Sequence, residues 1–121
     1  MNKKNIIKNY FKIYKTMELS DIGDLYERLA MDKIMTGKTV IKVGAEWCKP
    51  CKRMSSYMTD IIADNPEIRF YNVDVDDAEE IYEFLGVVKI PSIVIYINGE
   101  MINKHEGELS EEKFRELIKN M

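Results

Sequence analysis

The sequence predicts an α/β fold, and three observations predict it. Short β-branched runs, Val40–Val43 and Ile93–Ile97, are separated by stretches whose apolar residues recur at helical spacing. Asn98-Gly99 follows the second run and marks a tight hairpin, so part of the sheet is antiparallel. The chain has 121 residues, enough for one domain around one core. Residues 11–121 read as that domain and residues 1–10 as a flexible extension.

The extension is rich in Lys and Asn and carries Lys3, Lys4 and Lys8 without an acid. A solvated, partly frayed terminus is the simplest reading. Alternatively, Ile6, Ile7, Tyr10, Phe11 and Tyr14 form one face of a short basic helix, suited to a membrane surface or a partner. Phe11, Ile13 and Met17 then fall at even spacing, a strand pattern over 11–17.

Ser20 is a good N-cap for a helix to about Met35, with Ile22, Leu25, Leu29 and Ile34 on its buried side and Gly37 at its end. Val40–Val43 reads as a central strand covered on both faces. The next helix continues to about Ala63 on Met54, Met58, Ile61 and Ile62, and Asn65-Pro66 stops it. Ile68–Val75 is the following strand, with Phe70, Val73 and Val75 as apolar members. Asp76-Asp77 opens a helix that reaches about Leu85 and ends at Gly86. After Ile93–Ile97 and its hairpin, Met101–Glu106 returns antiparallel. Ser110 caps the last helix, whose first turn holds Glu111 and Glu112 and whose core face is Phe114, Leu117 and Ile118.

Net charge is −3, which leaves no nucleic-acid footprint on the chain as a whole. No apolar run approaches a membrane span, and Met1–Asn5 is not followed by an apolar signal core. A cytoplasmic monomer is the expectation.

The informative segment is Trp47-Cys48-Lys49-Pro50-Cys51-Lys52, which contains both cysteines of the chain. The spacing places both sulfurs at the first turn of a helix, near enough to close a small disulfide ring. A thiol there meets unpaired backbone N–H groups and the positive end of the helix dipole, worth at most roughly 2 kcal/mol. Both favour thiolate, the nucleophile of disulfide exchange. So short a ring is a poor staple, and in a reducing compartment such a pair is catalytic or metal-binding. Spacing alone does not choose between these. Metal binding needs further ligands, and His105, the one histidine, lies outside the motif; a cluster shared by two chains is the remaining metal route. His105 reads as a surface residue, Met54 and Met58 as core, and the acids Asp74, Asp76, Asp77, Glu79 and Glu80 as a helix start and a solvated face.

Over roughly residues 17–121 the chain resembles the thioredoxin family. Four features match in order: Ala45-Glu46-Trp47-Cys48-Lys49-Pro50-Cys51-Lys52, Val73-Asp74-Val75-Asp76, Ile90-Pro91-Ser92, and Asn98-Gly99-Glu100 with Gly107 beyond it. The resemblance implies a mixed central sheet flanked by helices and a thiol–disulfide oxidoreductase that reduces protein disulfides. Cys48 is implied to be the exposed attacking thiolate and Cys51 the more buried resolving thiol. Pro50 stiffens the loop in the first helical turn, where a missing N–H costs little. Pro91 is implied to be cis and to face the cysteines, with the backbone of Ile90 pairing an extended substrate segment. Gly107 completes that groove, and Trp47 shields one side of the disulfide. The resemblance implies no bound cofactor, disulfide-containing proteins as substrates, and an external dithiol reductase of the thioredoxin reductase kind. A binding module with little turnover is the alternative of another class, and a more oxidising oxidase or isomerase is the alternative within the enzymes.

Four positions depart from the family pattern. Lys49 stands where Gly is usual, and a cation beside Cys48 should favour its thiolate and make the protein a weaker reductant. Lys42 stands six residues before Cys48, where the family has a buried Asp, and Asn72 replaces the lysine often found near that acid. A lysine in a sheet must be paired, deprotonated or extended to water. Glu46 and Asp74 are candidate partners. As a cation Lys42 would favour the Cys51 thiolate, and as a free amine it would take the proton; a third reading has its stem merely covering apolar surface. Gly44 stands where many members carry a second aromatic, which leaves less apolar packing beside the motif.

Overall fold

The computed structural model describes residues 16–18, 37–76 and 83–121. The N-terminal extension, the helix expected from Ser20 and most of that expected from Asp76 lie outside the described residues. The described elements are β1 (Thr16–Glu18), β2 (Lys38–Gly44), α1 (Lys49–Asp64), β3 (Ile68–Asp74), β4 (Ser92–Ile97), β5 (Glu100–Glu106) and α2 (Glu111–Lys119).

They form a mixed sheet in the order β1-β3-β2-β4-β5. β3 runs parallel to both β1 and β2, with α1 as the crossover between β2 and β3. β4 pairs antiparallel with β2 and with β5. β2 is therefore central, and its β-branched residues are buried on both faces, as expected. The hairpin between β4 and β5 turns on Asn98 and Gly99 at φ 50° and 82°. That left-handed conformation is one that Asn and Gly tolerate and β-branched residues do not. Asn98 also exchanges hydrogen bonds with Gly37, tying the start of β2 to this turn.

Side chains alternate across the sheet. Val40, Phe70, Ile93 and Ile95 face Met54, Met58 and Ile61 of α1 and Phe114 and Ile118 of α2. Ile41, Val43, Tyr71, Val73, Val94 and Tyr96 build the opposite core with Leu85 and Val87. Met54 and Met58 are core filler, as read from the sequence. α2 begins as expected, with the Ser110 hydroxyl accepting from the Lys113 N–H. By the same alternation Lys42 and Gly44 lie on the Val40 face, under α1. The register sets Lys42 beside Asn72 on one side and Ile93 on the other, and Gly44 beside Asp74. The carboxyl ends of β2 and β3 thus meet the start of β4 at one end of the sheet, where α/β folds place their sites.

Candidate active site

β2 ends at Gly44, and the turn through Ala45, Glu46 and Trp47 delivers Cys48 to the N-cap of α1. Cys48 is extended at φ −87° and ψ 108°, and its Sγ accepts the Cys51 N–H at 3.3 Å. The sulfur takes the place that a Ser or Asp oxygen fills in an ordinary cap. Pro50 sits in the first turn, where its missing N–H leaves no helical bond unmade. The two sulfurs are joined as a disulfide, with the Cα atoms 5.2 Å apart.

Cys48 is 6% exposed and Cys51 2%. The order is the one expected, but Cys48 is not the exposed residue the sequence suggested. It packs with Ala45 and Cys51, and the half-buried Val75 and Ile90 close over the group. The Ile90–Pro91 peptide is cis. The ladder of β4 begins after it at Ser92, and the Pro91 carbonyl accepts the Gly107 N–H at 2.8 Å. Gly107 holds φ 109°, a conformation that L side chains rarely adopt. The structure thus brings Cys48, Cys51, Pro50, Ile90, Pro91 and Gly107 into one locality.

Trp47 lies on the rim, 65% exposed, and its indole Nε1 donates to Asp76 Oδ2 at 2.7 Å. The Asp76 N–H in turn donates to Asp74 Oδ1. Reading Asp76 only as a helix start missed this; the Trp47–Asp76 pair links residues 29 apart in sequence. Lys49 is exposed on the first turn of α1. His105 is half-buried on β5, opposite Ile93 of β4, rather than fully on the surface as read from the sequence. Among the described residues no group of three His, Cys, Asp or Glu side chains is placed to hold a metal ion.

Lys42 is 6% exposed and does not reach for solvent. Its Nζ donates to the Cys51 carbonyl at 3.1 Å and to the Ser55 hydroxyl. Glu46 and Asp74, the acids considered as partners, line the same cavity as Lys42. Ser55 was not singled out from the sequence; it sits four residues after Cys51, one helical turn along α1. Gly44 packs directly against Cys51, so that an added Cβ would meet its Sγ at 3.0 Å.

The thioredoxin family profile matches residues 26–120. The chain belongs to the thioredoxin family. It is 30% identical over 99 residues to a thioredoxin of Ophiophagus hannah, covering 81% of this chain and 93% of that one. It is 31% identical to the mitochondrial thioredoxin-3 of Saccharomyces cerevisiae, covering 82% of this chain and 72% of that one. The fold agrees with solved thioredoxins. The oxidized yeast mitochondrial thioredoxin 3 superposes with a TM-score of 0.77 at 27% identity, over 91% of this chain and 99% of that one. Fasciola hepatica thioredoxin gives 0.78 at 27% identity, over 87% and 98%. With a cysteine pair that closes a disulfide at the family's site, this thioredoxin-family protein is a thiol–disulfide oxidoreductase of the protein-disulfide reductase class.

Proposed function

We propose that Cys48 attacks the disulfide of a partner protein and that Cys51 resolves the mixed disulfide. The observation that carries this is the position of Cys48. It is the N-cap of α1, aligned with the helix dipole, its sulfur accepts a backbone N–H, and it is the more accessible of the pair. Attack by the Cys48 thiolate forms a Cys48–substrate disulfide and expels one substrate thiolate. Attack by Cys51 on Cys48 then forms the intramolecular disulfide and releases the second. Two electrons pass to the substrate, and an external dithiol reductase must return them.

Ile90, the cis Pro91 and Gly107 form the side of the groove along which an extended substrate segment pairs, and Trp47 and Pro50 shape its rim. We assign the protein to the cytoplasm and to monomeric action. Two neighbouring cysteines without a wider disulfide framework suit a reducing compartment. No helix among the described residues is long and apolar enough to cross a membrane.

Reduction of insulin with a dithiol donor tests the assignment. The wild-type chain is expected to turn over and Cys48→Ser to be inactive. A wild-type chain without turnover would favour a docking module instead. Lys49 sharpens the test: its charge beside Cys48 favours the dithiol form, so Lys49→Gly should be the stronger reductant. Equilibration of both proteins with a glutathione buffer measures this, and a Lys49→Gly potential at or above wild type would remove Lys49 from the tuning.

A further inference from the structure

Behind the disulfide lies a cavity of about 390 Å³. Its buried lining includes Lys42, Gly44, Ala45 and Cys51. Ser55 and Lys52 of α1 and Glu46 of the turn after β2 line its mouth and are exposed, so the cavity opens to solvent. Gly44 keeps the floor open, because it adds no side chain beneath Cys51.

The contacts of Lys42 argue for its charge. Two carboxylates, Glu46 and Asp74, line the same cavity and favour the charged amine, whose Nζ donates to the Cys51 carbonyl and the Ser55 hydroxyl. A buried cation is tolerable when its protons are placed on oxygen atoms. The charged groups that line the cavity with it among the described residues are Glu46 from the turn after β2, Lys52 from α1 and Asp74 from β3, with Asn72 as a neutral neighbour; β4, on the other side, sets the apolar Ile93 beside it. An ammonium so held has no capacity to accept the proton that Cys51 must lose before it resolves the mixed disulfide. It can instead stabilise the sulfur anion that remains.

We infer that Lys42 is a positioning residue for the resolving step: held as an ammonium against Cys51 O and Ser55 Oγ, it stabilises the Cys51 thiolate, whose proton leaves to water through the cavity. The inference rests on the assignment of Cys51 as the resolving thiol. The step balances. The Cys51 S–H bond breaks and its proton passes to water. The thiolate forms the bond to Cys48 Sγ as the Cys48–substrate S–S bond breaks, and the substrate thiolate takes up a proton from solvent.

The test reads Cys51 alone. In a Cys48→Ser background, Cys51 is alkylated with iodoacetamide across pH 5–10 and followed by mass spectrometry. Lys42→Met should slow alkylation near neutrality by about tenfold, the equivalent of moving the midpoint up by one pH unit. Lys42→Arg keeps the charge but cannot act as a base, so it should retain the midpoint of the lysine protein. Ser55→Ala, which leaves Lys42 in place with one anchor fewer, should move the midpoint the same way by less, and it serves if Lys42→Met fails to fold. An unmoved midpoint in Lys42→Met and Ser55→Ala would overturn the inference. So would an arginine variant that behaves like methionine, since that marks Lys42 as the proton acceptor. Insulin turnover measured in parallel separates the two levels. Turnover with an unmoved midpoint sinks the role of Lys42 and leaves the reductase assignment intact; a moved midpoint without turnover does the reverse.

Discussion

Gly44→Ala puts one methyl group where β2 passes beneath Cys51. The added carbon would lie 3.0 Å from Cys51 Sγ and 3.2 Å from Cys51 Cβ. Favourable contacts between such atoms begin at about 3.5 Å. Overpacking of this size costs roughly 1–3 kcal/mol, offset by roughly 0.4–1 kcal/mol from the stiffer unfolded chain. The cost falls unequally on the two redox states. In the disulfide, Sγ is bonded to Cys48 and cannot turn away; in the dithiol it can rotate about χ1. The oxidised form should lose more stability than the reduced form. A difference of about 1.4 kcal/mol shifts the equilibrium with a reference dithiol tenfold toward the reduced protein, about 30 mV to more positive potential. Urea midpoints of both forms, with the equilibrium constant against a glutathione buffer, measure this. Equal losses in the two forms, or a potential that moves negative, would refute the view that the Gly44–Cys51 contact limits the oxidised state.

Two further outcomes are expected. Burial first, then the nearby Glu108 and Glu111, push the Tyr57 hydroxyl up to about 12. An unfolded tyrosine titrates near about pH 10, so between these values the native state holds a proton that the unfolded chain releases. The contribution is fully present below that window and is lost as pH rises through it. Tyr57→Phe removes it, together with the hydrogen bond to the Leu109 carbonyl, so urea midpoints at pH 9 and pH 11 should differ less in the variant than in wild type. Equal falls would show that Tyr57 does not carry this part of the alkaline loss. Asp76→Ala frees the indole of Trp47, the one tryptophan in the chain, so its fluorescence should be quenched more readily by acrylamide and KM for a protein disulfide should rise more than kcat falls. Unchanged quenching would show that the indole is held by something other than Asp76.

Much of the described architecture was legible because local and global signals agree. Val40–Val43 places β-branched residues on both faces, Asn98-Gly99 supplies two consecutive positive φ values, and Ser110 with Glu111 and Glu112 marks a helix start. The cysteine pair was legible because spacing along one helical turn decides whether two sulfurs meet. What escaped depends on long-range contacts. Trp47 finds Asp76 across the end of the sheet, and Lys42 finds Ser55 from β2 to α1; neither partner is marked by sequence spacing. The near-burial of Cys48 has the same origin, since Val75 and Ile90, which close over it, come from distant segments. Lys42 shows the limit most clearly. The sequence identified an ionisable residue in a central strand, but whether its amine reached water or the helix depended on how α1 packs on β2.

The central claim is that Cys48 strikes and Cys51 resolves, and the Cys51→Ser variant tests it most directly. Incubated with a disulfide-containing protein and resolved by non-reducing electrophoresis and mass spectrometry, it should accumulate a covalent adduct through Cys48, while Cys48→Ser should trap none. An adduct through Cys51 in the Cys48→Ser chain, or none in either variant while wild type still turns over, would contradict the account.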